Sequence, residues 1–121
     1  MSKIVLIEDS KNLAQALKSA LEIKGHGVVL VGDGREAYAA VKKNKPDIVL
    51  LDLMLPHVSG YEICKSIKKD NALWKTPVIV MSTLTSPEQR ERAAQAGADH
   101  FIAKPYNLRD TLAEIERFLI S

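Results

Sequence analysis

The 121-residue chain predicts an α/β fold, a doubly wound (βα)5 sandwich around a five-stranded parallel sheet. Three observations carry this expectation. Short apolar runs at 4–7, 28–31, 48–51, 78–81 and 101–103 are rich in β-branched residues and do not alternate with polar ones. That pattern fits strands covered on both faces. Segments with helical spacing separate the runs, and helix start and stop signals punctuate them. Parallel strands require crossovers, and crossovers are right-handed, so alternation of this kind leads to helices on both faces of one sheet.

Taken in order, the first run ends at Glu8 and Asp9. Leu13, Leu17, Ala20 and Leu21 then form one helical stripe, and Gly25 stands where a left-handed C-terminal residue is expected. The third run ends at Asp52. Ser59-Gly60-Tyr61-Glu62 matches a capping box, and Tyr61, Cys64 and Ile67 lie three apart on the buried stripe of the helix it opens. The fourth run ends at Ser82. Ser86-Pro87-Glu88-Gln89 repeats the capping pattern with proline at the favoured first helical position. The helix it opens, ending at Gly97, carries alanines but no large apolar residue, so it is capped well and anchored weakly. The fifth run ends at Lys104. Asn107 with Asp110 caps the last helix more weakly, and Leu108, Leu112, Ile115 and Leu119 form its stripe. Periodicity does not give strand order. The flavodoxin-like order 2-1-3-4-5 would set strands one and three side by side at a topological switch point.

Size and composition bound the function. The length suits one domain, residues 1–121. Acids and bases are interspersed, net charge is +2, and only 5% of residues are aromatic, which disfavours nucleic-acid binding by this domain alone. The clusters Lys42, Lys43, Lys45 and Lys65, Lys68, Lys69, Lys75 read as solvated helix faces. A single cysteine, Cys64, excludes an internal disulfide and reads as packing. Four apolar residues before Glu8 are too few for a signal-peptide core or a membrane span, so a cytoplasmic protein is expected. His26, His57 and His100 are scattered, without zinc-ligand spacing.

The residues ending the runs raise a chemical question. A carboxylate is costly to bury without a partner, yet Asp52 follows four apolar residues directly. Either it caps the next turn or it serves a site that needs the charge. Open α/β sheets bind ligands at the carboxyl ends of their strands, where Glu8, Asp9, Asp52, Ser82 and Lys104 all fall. If strands one and three are neighbours, three carboxylates converge. Two unit charges about 4 Å apart repel by roughly 4 kcal/mol at an effective dielectric near 20, so a proton or cation is required. Mg²⁺ is the best fit, since it takes oxygen ligands and is typically held by one or two carboxylates plus phosphate oxygens. An aspartate beside Mg²⁺, with a lysine and a hydroxyl opposite, has the parts for phosphoryl transfer onto Asp52. The alternative of turn caps and surface charges stays open on spacing alone.

Four segments carry a family resemblance. "LIEDS" (6–10), "DIVLLDLMLPHVSGYEIC" (47–64), "TPVIVMST" (76–83) and "AGADHFIAKPY" (96–106) occur in order and at the right separations, so that the whole chain resembles a response-regulator receiver domain of two-component signalling. The resemblance implies that Asp52 accepts a phosphoryl group from a histidine kinase or histidine phosphotransfer protein. It implies that Asp9, with Glu8 assisting, holds Mg²⁺ together with Asp52 and the backbone carbonyl of Met54. Ser82 and Phe101 would be the switch pair, and Lys104 would contact the phosphoryl group; Pro105 stands where the family often has a cis-peptide proline, and its isomer stays open. The output face would comprise the fourth helix, fifth strand and fifth helix, acting on a protein target or an output domain. Whether the chain is a stand-alone regulator or a receiver from a larger protein stays open.

Departures from the commonest pattern are Glu8 for Asp, Ser82 for Thr, and Thr83 where Ala or Gly is usual. Met54 and Leu84, flanking the site, are apolar and cannot orient an attacking water, so slow self-hydrolysis is expected. Three rival readings fit less well. An FMN binder needs a hydroxyl- and glycine-rich phosphate loop where Glu8 and Asp9 stand. A haloacid-dehalogenase-type phosphatase carries an Asp-x-Asp pair after the first strand and usually a cap insertion. A phosphate-independent interaction module would be expected to lose the aspartate or lysine that this chain retains.

Overall fold

The structure is a computed structural model and describes residues 2–119; the expected domain bounds at 1 and 121 lie outside the described residues. Strands β1 (Lys3–Ile7), β2 (Gly27–Val31), β3 (Ile48–Asp52), β4 (Val78–Ser82) and β5 (His100–Ala103) alternate with helices α1 (Lys11–Ile23), α2 (Ala37–Asn44), α3 (Gly60–Lys69), α4 (Pro87–Gln95) and α5 (Leu108–Leu119). A short 3₁₀ turn at Gly34–Glu36 precedes α2. The sheet is parallel throughout with order β2-β1-β3-β4-β5. Fold class and strand order both agree with the sequence reading.

Strand periodicity divides the core in two. Val5, Ile7, Val49, Leu51, Val78 and Val80 face one side and pack with residues of α2, α3 and α4. Ile4, Leu6, Ile48, Leu50, Ile79 and Met81 face the other, with Ala14, Leu17 and Leu21 of α1 and Ile115 of α5. The three central strands are buried on both faces, as their unbroken apolar runs require. The edge strands depart from that expectation: β2 and β5 are mostly half-buried, because each has one neighbour instead of two.

Helix termini follow the sequence signals with one shortfall. The Ser86 hydroxyl accepts from the Gln89 N–H at 3.2 Å with Pro87 at the helix start, and Asn107 Oδ1 accepts from the Asp110 N–H at 3.1 Å. Ser59 caps α3 through the Tyr61 N–H at 3.2 Å, while Glu62 turns to Lys65 at 3.7 Å, so only half of that capping box forms. Gly25 and Gly97 adopt φ of 95° and 100°, the left-handed conformation expected after a helix.

Two lysine clusters were read as solvated. Lys42 and Lys65 conform, with side chains 57% and 50% exposed. Lys68 does not. Its ammonium lies 2.7 Å from Asp99 and donates to the Thr76 carbonyl at 2.7 Å, fastening α3 to the segments that lead into β4 and β5. Cys64 is fully buried and burial pushes its thiol up to about 11, in keeping with a packing role. No helix among the described residues is long and apolar enough to cross a membrane.

Gly60 opens α3 directly against the strand that carries Asp52. A Cβ there would sit 2.7 Å from Leu53 Cα and 2.9 Å from the Asp52 carbonyl oxygen, both backbone atoms that cannot turn aside. Gly60→Ala is therefore expected to lower stability by about 1–3 kcal/mol, read as a reduced urea midpoint, although alanine is the better helix former.

Candidate functional site

The parallel register brings the ends of the strands to one level. Ile7 pairs with Leu51, Asp52 with Met81, and Ser82 with Ala103. Each strand end is pinned by backbone bonds. The Glu8 N–H donates to Val31 at 3.0 Å, prolonging the β1–β2 ladder, and the Lys104 N–H donates to the Ser82 carbonyl at 2.8 Å. These bonds fix the height at which the polar side chains leave the sheet.

Oxygen atoms of Glu8, Asp9 and Asp52 lie within 4.8 Å of one another. Glu8 and Asp52 are buried, at 3% and 5% exposure, whereas Asp9 faces solvent. Lys104 bridges the buried pair, its ammonium 2.5 Å from Glu8 Oε1 and 3.3 Å from Asp52 Oδ2. The pocket keeps a formal charge of −2 with every group ionised. Burial is the first cause that raises the Glu8 carboxyl above the usual carboxylate range. A hydrogen bond with Asp52 adds to it, while Lys104 and the Ser10 N–H oppose it.

The opening alternative for Asp52 does not divide as posed. Its Oδ1 accepts from the Met54 N–H at 3.0 Å, so Asp52 caps the following turn and belongs to the acidic cluster at once. The Ser82 hydroxyl is fully buried and accepts from the Leu84 N–H at 2.9 Å. Thr83 donates to the sulfur of Met54 at 3.3 Å across the mouth, and Met54 and Leu84 are 53% and 36% exposed. The Lys104–Pro105 peptide is cis. Phe101 is half-buried on β5, with the Arg90 guanidinium 4.6 Å from its ring centre.

The histidines take no part in the cluster. His26 meets Glu116 at 3.2 Å and His100 meets Glu114 at 3.5 Å, while His57 occupies a positive-φ position in the β3–α3 loop. Sequence reasoning passed over Tyr106. Its hydroxyl is buried without a hydrogen-bond partner among the described residues, and burial, followed by the charges of Glu8 and Asp52, pushes it up to about 12. Its place two residues after Lys104 was the available signal.

An all-carboxylate donor set that is compact and over-charged suits a small hard cation better than zinc or copper. The donors present therefore fit Mg²⁺. A doubly wound sheet with an acidic pocket bridged by a lysine at its carboxyl edge is the arrangement that the resemblance to receiver domains implies.

Comparison with known proteins agrees: the response regulator receiver domain family model matches residues 4–116, and the chain belongs to that family. It is 34% identical over 119 residues to the response regulator ArlR of Staphylococcus saprophyticus, covering 98% of this chain and 53% of that protein. It is 35% identical over 119 residues to the sensory transduction protein RegX3 of Mycolicibacterium smegmatis, covering 98% and 51%. The chain thus spans about half the length of these relatives. Among solved structures, the chemotaxis protein CheY4 of Vibrio cholerae superposes with a TM-score of 0.91 at 30% identity, covering 98% of each chain. The BeF3-activated receiver domain of Klebsiella pneumoniae RstA superposes with a TM-score of 0.91 at 28% identity, covering 98% of this chain and 99% of that one.

Crowding of carboxylates costs stability in the absence of a cation. Asp52→Asn retains an oxygen for the Met54 N–H but removes one charge. It is expected to unfold later than the wild type in EDTA, by on the order of 1 kcal/mol, in thermal or urea denaturation.

Proposed function

We propose that this domain accepts a phosphoryl group on Asp52 from a histidine kinase or a histidine phosphotransfer protein and relays the event through α4, β5 and α5 to a protein target or output domain. The observation that carries the proposal is the 4.8 Å acidic cluster with the Lys104 ammonium lying against both Glu8 and Asp52. Without a function that needs it, such crowding would be a plain loss of stability. The domain then acts as a cytoplasmic signalling device that assists its own modification.

In this reading one Asp52 carboxylate oxygen attacks the phosphorus of a phosphohistidine. A P–O bond forms, the P–N bond breaks, and the imidazole leaves with the electron pair. Glu8, Asp9, Asp52 and the Met54 carbonyl would hold Mg²⁺, which supplies neutralising charge for the phosphoryl oxygens. Lys104 exchanges its contact with Glu8 for one with the phosphoryl group. Ser82, released from the Leu84 N–H, donates its hydroxyl to another phosphoryl oxygen. The acyl phosphate carries roughly −1.5 to −2 charge where the carboxylate carried −1.

The change has a ready element to act on. Within α4 only Ala93 is buried, so the helix can move at small cost in lost burial. Its remaining ties are polar or aromatic: Arg92 stacks on the Tyr61 ring at 4.1 Å, and the Tyr61 hydroxyl donates to Gln89.

Intact mass after incubation with Mg²⁺ and acetyl phosphate tests the chemistry. The wild type is expected to gain one phosphoryl group and Asp52→Asn none; equal masses would refute the proposal. The lifetime of the product follows from the mouth of the site. Met54 and Leu84 offer no hydrogen bond to an attacking water, and the Thr83 hydroxyl is directed at the Met54 sulfur. The phosphoaspartate is expected to outlast a seconds timescale in the purified protein, followed by the decay of the mass increment after removal of acetyl phosphate.

A further inference from the structure

The phosphoacceptor reading gives Arg90 no role, yet its placement needs a cause. It is the fourth residue of α4, near the positive end of the helix dipole, where a cation is unfavourable. It is also exposed, so burial does not account for it. Its guanidinium instead makes two contacts with different elements. Nε donates to the Thr85 carbonyl at 3.1 Å, and Cζ lies 4.6 Å from the centre of the Phe101 ring. A planar guanidinium can bond at its edge and stack on its face at the same time, which a lysine cannot.

Both contacts lead back to the site. Thr85 is three residues beyond Ser82, and the Ser82 hydroxyl holds the intervening loop through the Leu84 N–H at 2.9 Å. Phe101 lines a pocket of about 170 Å³ between α4 and β5, whose other walls include Ala93, Ala94 and Ala98. Those small side chains leave a ring room to change its place. A continuous path therefore runs from the Ser82 hydroxyl through Leu84, Thr85 and Arg90 to the ring.

We infer that Arg90 is a positioning residue that couples the Ser82 hydroxyl to the Phe101 ring, stacking on the ring while Ser82 holds its loop and releasing it when Ser82 turns to a phosphoryl group. The inference rests on the phosphoacceptor reading of Asp52. When the serine oxygen leaves the Leu84 N–H, the loop is freed and the Thr85 carbonyl moves with it. Arg90 then loses its edge bond and its place over the ring. The stack thus favours the resting arrangement. Because coupling is reciprocal, removing it strengthens binding of a phosphoryl analogue.

The chain has only two phenylalanines, Phe101 and Phe118, so ring-labelled phenylalanine gives readily assigned NMR signals. Titration with beryllofluoride and Mg²⁺ reads the affinity on the same samples. Arg90→Gln is expected to alter the Phe101 signals before any ligand is added and to bind beryllofluoride about fivefold more tightly than the wild type. Arg90→Lys, which keeps the charge but loses the planar stack, is expected to follow Arg90→Gln. In a Phe101→Leu background, Arg90→Gln is expected to have no further effect, since its route to the site is gone. Equal affinities for wild type and Arg90→Gln would overturn the coupling, as would the same gain in the Phe101→Leu background. A wild type that takes up neither beryllofluoride nor acetyl phosphate would overturn the phosphoacceptor reading and the coupling together, whereas uptake with an inert Arg90→Gln would overturn the coupling alone.

Discussion

Electrostatic repulsion among Glu8, Asp9 and Asp52 is the constraint around which this domain is arranged. Side chains free to rotate in water would separate such charges. Here the backbone forbids it: Glu8 is held to Val31, Asp52 ends a fully buried strand, and both carboxyl groups are almost sealed from solvent. The Lys104 ammonium offsets part of the charge, and the raised pKa of Glu8 shows that burial still outweighs the compensation. The cluster persists because two apolar layers beneath it make the strand ends immovable.

Rigidity at the strands contrasts with looseness at α4. The central strands are almost entirely buried, while α4 buries one alanine and depends on Arg90, Arg92 and Gln89 for its seat. Contacts of this kind are directional and individually small, so they can be exchanged for others without disturbing the core. A stiff pocket beside a lightly held helix gives a change of charge somewhere to act.

Much of the fold was legible from the chain because burial on both faces leaves an unmistakable mark: unbroken β-branched runs for β1, β3 and β4, each closed by a polar residue. The acidic cluster was legible for the same reason, since strand ends fix the height of its buried members. Strand order was not, as periodicity carries no information about neighbours; it came from topology rules and resemblance. The two edge strands read as more covered than they are, because sequence does not reveal which strands lack a partner. Lys68 looked like one more surface lysine, and only the meeting of α3 with Thr76 and Asp99 shows it enclosed. The clasps between Tyr61 and Gln89, and between Phe101 and Arg90, join different elements, and no local pattern announces them. Tyr106 escaped notice because a tyrosine after a proline is unremarkable until its hydroxyl is found without a partner.

The amide of Lys104 is bonded to the carbonyl of Ser82, so the two residues proposed to contact the phosphoryl group share a single rung of the sheet. Their spacing is thereby independent of the crossover that connects them. That crossover includes α4 and could be lengthened, shortened or resurfaced while the serine and the lysine stayed in register. The distance between those two backbones is thus a property of the sheet, whatever the crossover carries outside it.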